Sequence, residues 1–196
     1  MKRTLSLAAI IAFVAWGMIS LAGCKEHSNE VDVNIINYKG TSFSIAKGYK
    51  HRVAELKKKG LWEYRVYILG HGVEIDIQEN GPVPTGEGAL ITFTVFSQSG
   101  SDISMGEYPI NGYGYIEHDT ITAENCQIKL NYNFSTNEGE VYDINWGSFK
   151  FFNLGNNIKI KVNLQDKLYI PEYTYDTIVN FKGYFYGTLE DLNRFI

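Results

Sequence analysis

Apolar and polar residues alternate with period two along most of this chain. Successive side chains of an extended strand point to opposite faces, so the pattern commits the chain to half-buried strands. Tyr64, Val66 and Ile68 alternate with Arg65 and Tyr67, and Val73, Ile75 and Ile77 alternate with Glu74, Asp76 and Gln78. The pattern recurs at Phe43 and Ile45, from Leu90 to Phe96, at Ile128, Leu130 and Tyr132, and at Ile158, Ile160, Val162 and Leu164. In the final run Val179, Phe181, Phe185 and Leu189 oppose Lys182, Tyr184, Tyr186 and Thr188, with Gly183 and Gly187 interrupting the apolar side. Glycine inside a strand marks a bulge, a bend or a close backbone approach, as where a sheet curls.

Turn signals separate these runs. Glu79 to Gly88 contains Pro82, Pro84, Gly81, Gly86 and Gly88; Ser97 to Asp102 is small and polar; Asn137 to Gly139 suits a hairpin; Gly155, Asn156 and Asn157 supply positive φ. Short strands at this spacing predict an all-β fold, an antiparallel sandwich or barrel of about 8–10 strands with at most one short helix. The one helical candidate is residues 49–59. Tyr49, Val53 and Leu56 fall at i, i+4 and i+7, Lys57 to Lys59 suit a helix C-terminus and Gly60 a cap. Tyr49, His51 and Val53 also alternate, so the segment reads as helix or strand.

The N-terminus obeys a different pattern. Lys2 and Arg3 precede a stretch from Leu5 to Ile19 that is apolar apart from Ser6 and Gly17, the form of a secretory signal. Leu21, Ala22, Gly23 and Cys24 then resemble the lipobox of bacterial lipoproteins. The resemblance implies cleavage after Gly23 and a diacylglyceryl group on the Cys24 sulfur. It divides the chain into a signal peptide (1–23), a polar tether (24–30) and a single β domain (31–196). The alternative, a transmembrane anchor, needs about 20 apolar residues, which this run only marginally reaches. Each buried methylene of an acyl chain contributes about 0.8 kcal/mol, so two or three chains hold a domain firmly to a membrane. Lys25 is not the Asp that retains enterobacterial lipoproteins at the inner membrane, which implies the outer membrane by analogy. Lys25 and Glu26 partly resemble the surface-export signal of Bacteroidetes lipoproteins, with His27 where a second acid belongs, so the periplasmic or surface side stays open.

Charge narrows the partners. The chain has 18 Lys and Arg against 22 Asp and Glu, and two of the cations, Lys2 and Arg3, lie in the leader. Neutralising phosphates needs clustered excess cations, so a nucleic-acid partner is not expected. If Cys24 is a thioether, Cys126 has no partner for an intramolecular disulfide and reads as a small core residue or a reactive thiol. From Ala89 to Leu189 the layout resembles the small all-β lipoproteins of unassigned role found in Bacteroidetes. The resemblance rests on an apolar strand, a Gly-x-Tyr turn at Gly106 to Tyr108, a hairpin through Gly155 and a last strand running from Gly183 to Leu189.

One string suggests chemistry. Glu74, Ile75, Asp76, Ile77, Gln78 and Glu79 resemble the signature of laminarinase-type family 16 glycoside hydrolases, which implies Glu74 as nucleophile, Asp76 as its orienting partner and Glu79 as acid/base. Period two puts Glu74 and Asp76 on one face, and a bulge before Glu79 would return the third carboxylate to it. A retaining glycosidase holds its two carboxyls about 5–5.5 Å apart. The string begins early in a short chain, with only Trp62 and Trp146 beyond the leader, so it also reads as an exposed strand alternating charge with Ile. His27, His51, His71 and His118 lack metal-ligand spacing, and Glu117, His118 and Asp119 read as a solvated loop, so no metal and no cofactor is expected. Tyr113 and Tyr115, among Gly112 and Gly114, and Tyr169, Tyr173 and Tyr175, around Pro171, are candidates to stack on sugars or peptides, or to fill the core.

These readings combine into a lipid-anchored, non-enzymatic envelope protein. Its expected partners are a membrane, through Cys24, and a glycan or protein ligand. The alternatives are a surface glycoside hydrolase using Glu74, Asp76 and Glu79, and a small-ligand carrier barrel.

Overall fold

A computed structural model of the chain describes residues 34–56, 60–110, 123–168 and 177–194. Its strands are β1 (Ile35–Tyr38), β2 (Thr41–Leu56), β3 (Leu61–Gly70), β4 (Val73–Gln78), β5 (Gly81–Ser97), β6 (Gly106–Pro109), β7 (Ala123–Asn133), β8 (Glu138–Ile144), β9 (Trp146–Leu154), β10 (Asn157–Leu168), β11 (Thr177–Gly187) and β12 (Leu189–Asp191). A 3₁₀ turn, Leu192–Arg194, follows. The fold is all-β. Ten strands form one continuous antiparallel sheet in the order β6-β9-β10-β11-β1-β2-β3-β5-β7-β8. Among the described residues β4 pairs only with β5, and β12 runs parallel to β2.

The alternation sets which face is buried. Tyr64, Val66 and Ile68 of β3, Ile91, Phe93 and Val95 of β5, Phe149 and Phe151 of β9, and Ile160, Val162 and Leu164 of β10 all turn into one core. Phe93 and Phe149 stack with ring centroids 3.6 Å apart, although β5 and β9 lie far apart in the strand order. The sheet therefore curls into a half-barrel whose two arms meet through aromatic side chains. Across the same interior, the Tyr38 hydroxyl of β1 donates to that of Tyr142 on β8 at 2.7 Å, and the Tyr38 ring stacks on Phe181 at 4.4 Å.

Local chemistry permits the curl. Register shifts interrupt the pairing of β2 with β3, β5 with β7, and β7 with β8, and each bulge bends its strand. Asn125 and Asn131 adopt positive φ in β7, a conformation Asn tolerates. At Gly183 the need is space rather than φ, because a Cβ there would lie 1.9 Å from the Ile35 carbonyl oxygen of the adjoining β1. Gly183 thus marks the close backbone approach expected of it.

One open reading is decided and two local expectations change. Residues 49–56 belong to β2 and are not helical, because pairing with β3 runs from Ile45↔Gly70 to Leu56↔Leu61; residues 57–59 lie outside the described residues. The Gly81–Gly88 stretch is strand rather than loop, and only Glu79 and Asn80 turn. Pro82 and Pro84 pair with Ile77 and Ile75 of β4, and among the described residues nothing pairs with their other side, the edge position where a residue without an N–H is tolerated. Gly106 to Tyr108 is also strand, paired with β9. Among the described residues no helix is long and apolar enough to cross a membrane.

Candidate functional site

Side chains on the far side of the sheet from the core meet a second layer. The β4–β5 arm folds back over β3, and Val73 packs with Tyr67, Leu69, Leu90 and Leu192 in a small separate cluster. Glu74 on the arm accepts from the Lys47 ammonium of β2 at 2.7 and 2.8 Å. Gly86, at φ +85°, allows the fold-back, since a Cβ there would lie 2.1 Å from the Gly72 carbonyl oxygen.

Beside this cluster the arm overhangs an open groove of about 640 Å³, within the range typical of small-ligand sites. Its floor is a row of outward residues on four adjacent strands, Tyr67, Thr92, Gln127 and Asp143, which stand opposite one another in the registers of β3 with β5, β5 with β7 and β7 with β8. Arg65 and Thr94 form the next row, and Lys129 lies on the other side. Pro82 and Pro84 form the overhang.

The polar groups of the groove are held in place. Gln127 donates from Nε2 to the Asp143 carboxylate at 2.8 Å. The Lys129 ammonium sits 4.3 Å from the Tyr132 ring centroid and 5.3 Å from that of Phe134, which restricts its swing. Tyr67 is buried, and burial pushes its phenol above the usual range while the Arg65 guanidinium works the other way. Asp143 is the one carboxylate among the described residues of the lining. The arrangement offers hydrogen-bond donors and acceptors, two cations and apolar walls. Its described residues do not include the paired carboxylates of acid/base hydrolysis.

The three acids of the glycosidase-like string lie elsewhere. Glu74 and Asp76 share the exposed face of β4, opposite Thr85 and Val83, and no aromatic ring of β5 flanks them. The β4–β5 register runs unbroken to Gln78↔Gly81, so the bulge that would return Glu79 to that face is absent. Glu79 is exposed in the turn beyond. Cys24, Tyr113, Tyr115, Tyr169, Tyr173 and Tyr175, together with His27, Glu117, His118 and Asp119, lie outside the described residues. Cys126 is buried under the groove floor, and burial, with Asp143 adding to it, raises its thiol far above the usual range. Among the described residues no three His, Cys, Asp or Glu side chains converge as a metal site would require.

Arg65, Gln127, Lys129 and Asp143 escape a reading of the sequence alone. Their outward positions are legible from alternation, but the arm that makes a groove of them is a long-range feature. No family model, curated protein or solved structure matches this chain.

Proposed function

We propose that this chain is a lipid-anchored, non-catalytic binding module of the bacterial cell envelope, held to the membrane through Cys24 and taking its ligand in the groove beneath the β4–β5 arm. The groove is the observation that carries the reading. It combines a fixed amide–carboxylate pair, two cations and proline walls, the lining expected for a polar ligand of sugar or peptide size. The interior of the half-barrel, by contrast, is filled by stacked rings, so a ligand would bind on the outer face rather than inside as in a carrier barrel.

Three measurements test the proposal. Cells fed a radiolabelled palmitate should label the wild-type protein and not Cys24→Ala, and an unlabelled wild type would refute the anchor. On an array of oligosaccharides and peptides, full-length protein should retain ligands that Arg65→Ala and Gln127→Ala lose; equal retention by all three would move the site elsewhere. Release of reducing sugar from laminarin by wild type but not by Glu74→Gln would replace this reading with a hydrolase.

A further inference from the structure

The outward face of β9, β10 and β11 has a composition at odds with the rest of the chain. Although acids outnumber bases overall, this face presents Lys150, Lys159, Lys161 and Lys182, and Glu107 on the neighbouring β6 is the one acid among its described outward side chains. None of these lysines enters an ion pair with a described residue; the pairs found join Lys47 to Glu74 and Lys50 to Asp102. Lys150 and Lys161 stand directly opposite each other. Like charges in that position destabilise a sheet, and Glu107, opposite Lys150 on its other side, is the one described acid on this face to offset the four lysines.

A recess of about 110 Å³ opens between them, lined also by Ser148, Asn163 and Glu107. Glu107, itself part of the lining, accepts from the Ser148 hydroxyl at 2.8 Å. Tyr184 and Tyr186 stand toward one end of β10 and β11, and the amides of Asn163, Gln165 and Asn180 toward the other. The Lys159 ammonium lies 4.2 Å from the Tyr184 ring centroid, and Lys150 lies 5.5 Å from that of Phe152, so both cations are braced on aromatic faces. Tyr186 is 39% exposed and Trp146 49%. Gln165 and Asn180 form a hydrogen-bonded amide pair across β10 and β11 at 3.3 Å.

We infer that this face binds an acidic polysaccharide, a polyuronate carrying one carboxylate per ring. Its carboxylates would meet the Lys150–Lys161 recess and the flanking lysines, its hydroxyls the amide pair, and its pyranose faces the exposed Tyr186 and Trp146. The inference is independent of the groove, which lies on β3, β5, β7 and β8. A polyuronate fits better than RNA because the face has amides to meet many hydroxyls and no arginine to fork onto phosphates.

The test is calorimetry and affinity electrophoresis of the full chain in mild detergent with polygalacturonate, its methyl ester and poly(U). Polygalacturonate should bind, more weakly as salt rises, and the neutral ester and poly(U) should not. The double variant Lys150→Gln with Lys161→Gln should bind about tenfold more weakly, the scale of two lost solvent-exposed charge contacts. Tyr186→Ala should also weaken binding, and Arg65→Gln in the groove should leave it unchanged. Equal binding of acid and ester, tighter binding of poly(U), no binding by wild type, or an unaffected double variant would each overturn the inference. Circular dichroism of each variant separates lost binding from lost fold.

Discussion

The stack between Phe93 and Phe149 makes the curl of the sheet measurable. The two rings come from opposite arms of the strand order, both are essentially inaccessible, and their centroids are 3.6 Å apart. Replacing either by Leu removes a few buried carbons and leaves a partial cavity, at a cost of about 1–2.5 kcal/mol. An aromatic pair contributes about 0.5–1.5 kcal/mol beyond the area it buries, and both single replacements forfeit that amount. The double variant can lose it only once. Its destabilisation should therefore fall short of the summed single effects by about 0.5–1.5 kcal/mol. For a domain of this size each kcal/mol moves Tm by about 2–4 °C, so the shortfall should reach about 1–6 °C. Urea and thermal unfolding of the four proteins, followed by circular dichroism, measure it. Single effects that sum to within about 0.3 kcal/mol would mean that the rings do not touch and that the arms do not meet as described.

Other consequences follow from single positions. Gly183→Ala forces a Cβ against the Ile35 carbonyl and should lower Tm by about 6 °C or more by displacing β1, whereas an unchanged Tm would refute the close approach. Burial, with Arg65 across the strand pair, holds His51 below the usual imidazole range against the opposing pull of Asp191. The unfolded chain thus takes up a proton first as pH falls below about 6.5, and stability drops between there and the lower folded value and is unaffected above. His51→Gln should flatten the unfolding free energy between about pH 7 and pH 5, and equal slopes in the two proteins would contradict the assignment. Cys126, buried with its thiol raised, should resist a thiol reagent at about pH 8 in the folded chain. In denaturant one thiol per chain should react if Cys24 carries lipid, and two would argue against the anchor.

The strands whose register could be read from sequence are those with an unbroken apolar face. β3, β10 and the visible part of β11 bury the residues that alternation assigned to the core. β2 defeated the same reasoning near Val53 because the register shift between Arg52 and Ala54 changes which side chains face inward, and Val53 is left 42% exposed. Its helical spacing was overridden by ten residue pairings with β3. β6 and β12, at four and three residues, are too short for a period to register. In the Gly81–Gly88 stretch the prolines and glycines read as a turn from sequence, and only the partner on β4 shows an edge strand. The exposed carboxylates of β4 were visible in the sequence as a face. The pairing of Glu74 with Lys47, 27 residues away, was not, because nothing local to either residue reports the fold-back of the arm.

Pro82 and Pro84 also bear on what happens when many copies are crowded together. An open rim of strand normally offers a template on which a second molecule can zip, the route by which β proteins assemble into fibres. Ring nitrogens have no hydrogen to give, so this rim of the arm cannot be extended by an identical neighbour at those two positions. Copies packed densely in one plane would thus be hindered from stacking through this rim of β5, while the arm stays free to overhang its groove.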